Sequence, residues 1–239
     1  MTLPSIVTPE FETTIPSTKE KIKFRPFLVK EEKILYIAMS SEDNKSMVDA
    51  IKKIMVSCFD SNMDIEKLTF FDFEYLFLQL RAKSVSEISE FSLTHNVEGC
   101  EHVNDVSVNI ETVEVQFPAD AKDVIMITDT VGIKLRYPTI NDLSRLENPD
   151  VDAIIDLFCD CIVTVFDGDT MFEDYDKKQL REWIENLSQE QFKNITEFFE
   201  NMPKLQHEIK YTCGGCNEDV KVTLEGLQSF FWYVLVMEV

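Results

Sequence analysis

Glycine is scarce in this chain. Six glycines among 239 residues leave little room for loops that cradle phosphates, and neither a phosphate-binding glycine loop nor a Gly-x-Ser-x-Gly elbow occurs. Histidine is scarcer still, at three, so imidazole general-base chemistry has few candidates and there is no His-Glu-x-x-His pair. Positive charge is short: 23 Lys and Arg stand against 44 Asp and Glu, for a formal net charge of −21. Such a field repels phosphate backbones, which argues against nucleic acid as a default partner. The plain reading of the acidity is that it keeps an aromatic-rich chain soluble; the functional reading is attraction to a basic partner protein. The C-terminal apolar run, Phe230 to Met237, is far short of a membrane span. The N-terminus shows no basic region followed by an apolar run, so no signal peptide is expected. Six cysteines at irregular spacing do not make a secreted disulfide framework, and a reducing cytoplasm is the expected compartment.

What the chain has in quantity is phenylalanine, with 18 residues in a composition that is 44% hydrophobic. That supports long helices and an aromatic core. The densest block is residues 69–85. Thr69 followed by Asp72 fits a capping box, which starts a helix there. Phe70, Phe73, Leu76, Phe77 and Leu80 fall on one face, while Phe71, Tyr75 and Leu78 cover much of the other. A helix apolar nearly all round belongs inside a core, and this one is too short and too charged (Asp72, Glu74, Arg81) to cross a membrane. The other elements are expected to pack around it. Burial does not explain Arg81 and Lys83, so its basic end is the first place to look for a partner.

The rest of the chain divides by pattern into an α+β fold, a mostly helical body with an antiparallel sheet and a split, zinc-ribbon-like pair of β-hairpins. Residues 1–20, with Pro4, Pro9 and Pro16 among hydroxyl residues, predict a flexible arm. Residues 21–85 predict an extended basic lead-in and then helices, in which Met47, Ala50, Ile51, Ile54, Met55 and Cys58 form one buried stripe. Residues 86–138 alternate with period two and predict antiparallel strands. Residues 139–203 turn helical again, with Thr139 and Asp142 marking a helix start; Ile154, Ile155, Phe158, Ile162 and Val165 read as one helical stripe, and Ser188 with Gln191 caps a later helix. Residues 204–239 predict a knuckle-like hairpin and a C-terminal helix. A single compact unit from 21 to 239 is expected.

Cys213-Gly-Gly-Cys216, set between two alternating strands, is the strongest chemical motif. A tight glycine turn lets two thiolates face one metal. A redox Cys-x-x-Cys opens a helix instead, so redox chemistry is the weaker reading. Half a zinc site needs another half, and residues 91–110 have similar organisation, with His95, Cys100 and His102 as candidate partners for Cys213 and Cys216. The alternative is a hairpin that carries no metal. Cys58, Cys159 and Cys161 sit on helical patterns and read as core. The acidic stretch Asp167 to Asp176 lacks the ligand positions and the glycine of a calcium-binding loop and reads as a solvated turn.

Three segments, Lys-Phe-Arg-Pro-Phe-Leu-Val-Lys-Glu-Glu-Lys-Ile-Leu (23–35), Phe-Asp-Phe-Glu-Tyr-Leu-Phe-Leu-Gln-Leu-Arg-Ala-Lys-Ser-Val (71–85) and Met-Pro-Lys-Leu-Gln-His-Glu-Ile-Lys-Tyr-Thr-Cys-Gly-Gly-Cys (202–216), together resemble the baseplate hub proteins of T-even-type tailed phages. The resemblance implies a non-enzymatic role in tail morphogenesis, as a hub component or a factor that assembles the central hub. It implies hub or tail proteins as partners, a place in the host cytoplasm during assembly, and a possible place in the virion baseplate. Family members carry cysteine pairs in both hairpins; here only Cys213 and Cys216 keep one. Two other classes stay open: a zinc-ribbon nucleic-acid-binding phage regulator, supported by the knuckle alone, and an enzyme with an acidic site around Asp167 to Asp176.

Overall fold

Two periodicities alternate along the chain, and the elements follow them. The computed structural model describes residues 4, 6–40, 44–60, 62–119, 121–143, 150–172, 174–227 and 229–230. In chain order the elements are β1 (Phe11–Thr14), β2 (Lys21–Phe24), α1 (Val29–Met39), α2 (Asn44–Cys58), α3 (Phe70–Ser84), β3 (Ile88–Val97), β4 (Cys100–Asn109), β5 (Glu114–Gln116), β6 (Val124–Met126) and β7 (Val131–Leu135). There follow α4 (Ile140–Leu143), α5 (Val151–Cys161), β8 (Ile162–Asp167), β9 (Thr170–Phe172), α6 (Lys177–Glu185), α7 (Gln189–Glu200), β10 (Lys204–Thr212) and β11 (Asp219–Glu225). The fold class is α+β, and among the described residues the strands pair antiparallel throughout. The chain forms two compact units, and their boundaries do not follow the five segments read from the sequence.

The first unit takes residues 1–65, 71–116 and 204–239. Helix α3 is its core. Phe73, Leu76, Phe77, Leu78 and Leu80 are all but sealed from solvent, while Phe70, expected on the buried face, is 40% exposed at the helix start. The stripe on α2 is buried at Ala50, Ile51, Ile54, Met55 and Cys58, as its spacing requires. Less expected is that Asp72, Glu74, Gln79 and Arg81 of α3 are buried as well. An unpaired buried polar group costs about 1–3 kcal/mol, so such residues need partners. Three of them fasten another segment to α3. Asp72 accepts hydrogen bonds from the Ser17 amide (2.9 Å) and hydroxyl. Glu74 accepts one from the Leu227 amide at 2.7 Å. Arg81 donates to Ser89 at the start of β3, at 3.2 Å.

These contacts correct two expectations. Residues 11–20 are not an extended arm: β1 pairs with β2 from Phe11↔Phe24 to Thr14↔Lys21, Ile15 is buried, and the Ser17 bonds tie the turn to α3. The basic end of α3 is not free for a partner either. Arg81 is 4% exposed, and Lys83 forms ion pairs with Glu87 (2.7 Å) and Glu111. Within the basic lead-in, Arg25 turns inward to the buried Glu31 at 3.1 Å and to the Ser57 carbonyl at 3.0 Å. Of the C-terminal run, Phe230 is fully buried; 231–237 lie outside the described residues.

The second unit takes residues 66–70 and 117–203. Its sheet has the order β6-β7-β8-β9, and Ile133, Leu135, Phe158, Ile162, Val165, Ile184, Ile195 and Phe198 form its core. Ile162 and Val165 were expected to continue the helical stripe of Phe158. Instead α5 ends at Cys161, and the β-branched run Ile162-Val-Thr-Val pairs with β7, because these residues fit a pleated, half-buried surface better than a helix. The caps at Thr139 and Ser188 form as read: Asp142 accepts from the Thr139 amide at 2.8 Å, and Ser188 and Gln191 bond reciprocally. Among the described residues no helix is long and apolar enough to cross a membrane.

The buried Glu74 gives the first unit a pH dependence. Burial pushes its carboxyl up from 4.5 to about 7, against the pull of the Leu227 amide and helped by nearby Glu225. Below pH 4.5 the group is neutral whether the chain is folded or not, and its contribution to stability is fully present. As the pH rises toward 7, the folded state must take a buried charge and that contribution is lost. Glu74→Gln keeps an acceptor for Leu227 without the charge. In urea denaturation it should be more stable than the parent at pH 8 by about 1–3 kcal/mol and should flatten the profile below neutrality. A variant less stable than the parent at pH 8 would contradict this.

Candidate metal centre

Two hairpin tips build the site. In β3–β4 the register runs from Ile88↔Asn109 to Val97↔Cys100 around a Glu98-Gly99 turn, with Gly99 at φ 89°. Gly99 suits that left-handed position because it has no Cβ to clash. Alternation then puts His95, Val97, Cys100, His102 and Asn104 on one face of the hairpin, with His95 directly opposite His102. The second tip is the turn between β10 and β11. The Cys213 amide donates to the Glu218 carbonyl at 2.8 Å, and the Asn217 amide donates to the Cys213 carbonyl at 2.9 Å. Asn217 takes a left-handed φ of 60°, a conformation asparagine tolerates better than most residues.

The two tips bring four of the five candidate residues together. One ring nitrogen of His95 and the Sγ atoms of Cys100, Cys213 and Cys216 all lie within 4.8 Å of one another, a group able to hold a metal ion. Cys100 Sγ is 3.7 Å from Cys213 Sγ, and Cys216 Sγ is 3.3 Å from His95 Nδ1. Cys213 is fully buried; Cys100 and Cys216 are half-buried.

His102 stays outside this group and packs on the knuckle glycines. A Cβ on Gly215 would stand 2.7 Å from His102 Cβ and 3.2 Å from Cys100 Sγ, and one on Gly214 would stand 3.0 Å from His102 Nε2. Only glycine at 215 leaves room for the two hairpins to approach this closely.

Asn104 carries a role that sequence reading missed. It is buried, its Oδ1 accepts the Gly214 amide at 2.8 Å, and its Nδ2 faces Cys213 Sγ at 3.6 Å and the His102 carbonyl at 3.2 Å. In the sequence it is one polar residue in an alternating strand, with nothing to set it apart.

The electrostatics favour a thiolate at Cys213. Amide hydrogen bonds from Cys216, and with them Gly215, outweigh burial and bring its thiol down to about 5, with Asn104 and His95 adding to the effect. Cys216 moves the other way. The Glu218 amide draws it down, but burial and the neighbouring Cys100 and Cys213 sulfurs push it up further. The remaining cysteines are core residues: burial pushes Cys58 and Cys159 up to about 11 and Cys161 up to about 12. They are inert thiols by the same reasoning.

Among known proteins, the family described as T4 bacteriophage base plate protein matches the chain over residues 8–232. No curated protein matches it. No solved structure matches it.

Removing the Asn104 amide isolates its part in holding the knuckle. Asn104→Ala leaves the Gly214 amide without its acceptor and should lower stability by about 1–3 kcal/mol. Chemical denaturation under reducing conditions checks this, and a loss below about 0.5 kcal/mol would show that the bond contributes little.

Proposed function

Given that the chain belongs to the T4 bacteriophage base plate protein family, we propose that it is a hub component or hub assembly factor of the baseplate. The observation that carries this is the match over residues 8–232, nearly the whole chain. The three segments resembling hub proteins support the narrower hub assignment. In this reading the chain works through protein contacts in the host cytoplasm during assembly and catalyses no reaction. Its partners are other hub or tail proteins, and the net charge of −21 fits a partner with a basic face. The cofactor proposed for the His/Cys group is zinc, in a structural role.

The nucleic-acid reading is the weaker one. The lysines around the knuckle hairpin are already paired with carboxylates: Lys204 with Glu225 at 2.8 Å, Lys210 with Glu208 at 2.6 Å and Lys221 with Glu208 at 3.8 Å. A surface that neutralises phosphates would leave such lysines unpaired.

Co-purification of a tagged chain from infected cells, read by mass spectrometry, tests the proposal. Baseplate hub or tail proteins should be enriched in the eluate. Enrichment of nucleic acid without tail proteins, together with salt-resistant retention on a polyanion column, would overturn it in favour of the regulator.

A further inference from the structure

We infer that His95, Cys100, Cys213 and Cys216 bind one zinc ion in a closed tetrahedral site that clasps two separate sheets, with His102 outside the coordination. The inference rests on the structural-zinc reading and is independent of the baseplate role.

Geometry is the first argument. Zn–S bonds of about 2.3 Å at tetrahedral angles set sulfurs about 3.7–3.8 Å apart, and a Zn–N bond of about 2.0–2.1 Å sets nitrogen about 3.5 Å from sulfur. The separations here are 3.7 Å for Cys100–Cys213 and 3.3 Å for Cys216–His95. A disulfide would need sulfurs about 2.05 Å apart. Donor chemistry is the second argument. Three thiolates and one imidazole are the soft, mixed set that suits zinc, and four protein donors leave no open position for substrate. The contacts around the ligands are the third. Asn104 reaches Cys213 while its other end holds the Gly214 amide. Such outer hydrogen bonds orient thiolates and spread their charge.

The choice between the two histidines follows from packing. They are cross-strand partners on one face, but His95 Nδ1 reaches Cys216, whereas the His102 ring lies against Gly214 and Gly215. His102 covers the knuckle; His95 ligates.

The clasp role follows from topology. β3 and β4 pair with each other, while β10 pairs with β11 and β5. Among the described residues no backbone ladder joins the two sheets. The ligands are far apart in sequence, 113 residues for Cys100–Cys213 and 121 for His95–Cys216. An ion bridging them closes a long loop and stabilises the arrangement that brings them together.

The test uses the full chain purified without chelator, with metal content by mass spectrometry and coordination by X-ray absorption. The expected result is about one zinc per chain with a shell of three sulfurs and one nitrogen. His95→Cys should keep the ion and change the shell to four sulfurs, while His102→Cys should leave three sulfurs and one nitrogen. His95→Ala should weaken binding by more than about 100-fold, beyond the loss from an outer-contact change such as Asn104→Ala. Chelation should speed hydrogen exchange in both hairpins, 88–109 and 204–225. A chain that takes up no zinc, or holds iron instead, overturns the zinc reading and this inference together. Zinc whose nitrogen ligand is lost in His102→Cys overturns the ligand set alone. Zinc whose removal leaves exchange in both hairpins unchanged overturns the clasp.

Discussion

A helix without a solvent face cannot leave its polar groups to water, and much of the first unit follows from that constraint on α3. Its apolar side chains exclude water from Phe71 to Leu80, so Asp72, Glu74 and Arg81 must be met from within. The turn after β1, the segment after β11 and the start of β3 each supply a partner, through Ser17, Leu227 and Ser89. Ser17 and Leu227 come from segments 55 and 153 residues from their partners, and these are thereby oriented by bonds that the correct arrangement satisfies. Apolar burial supplies the driving force and these polar contacts fix the arrangement.

The His/Cys group stands at the tips of two hairpins that belong to separate sheets. The close approach there depends on the side-chain-free Gly215, on which His102 lies. Cys213 is buried and its thiol is drawn down to about 5, which favours the thiolate, the form in which cysteine binds a metal. The zinc ion we propose at this place would address the same problem as the polar contacts of α3, which is holding together segments that the chain brings from far apart.

Much of this was legible in the sequence. The α2 stripe, the core face of α3, the knuckle and the caps at Thr139 and Ser188 are local patterns with one physical solution. Long-range outcomes were not. The pairing of Phe11–Thr14 with Lys21–Phe24 was hidden because prolines and hydroxyl residues read as an extended arm, while the Ser17–Asp72 bonds that secure it span 55 residues. Phe158, Ile162 and Val165 fit a helical spacing as well as a helix followed by a strand, and the β-branched run decided for the strand. His95 and His102 share a face by parity, so sequence offered both; only the position of a knuckle more than a hundred residues away selects one. Arg81 read as a partner-facing residue, because its buried bond to Ser89 is made outside the helix.

The chain belongs to the T4 bacteriophage base plate protein family, matched from residue 8 to 232, and the role we propose for it there is protein contact. Infection with a phage carrying a nonsense codon in this chain's reading frame, with tails followed by sedimentation and electron microscopy, bears on it most directly. Complete baseplates and tails should fail to form, and supplying the chain in trans should restore them. Complete tails at normal yield in its absence would contradict the account.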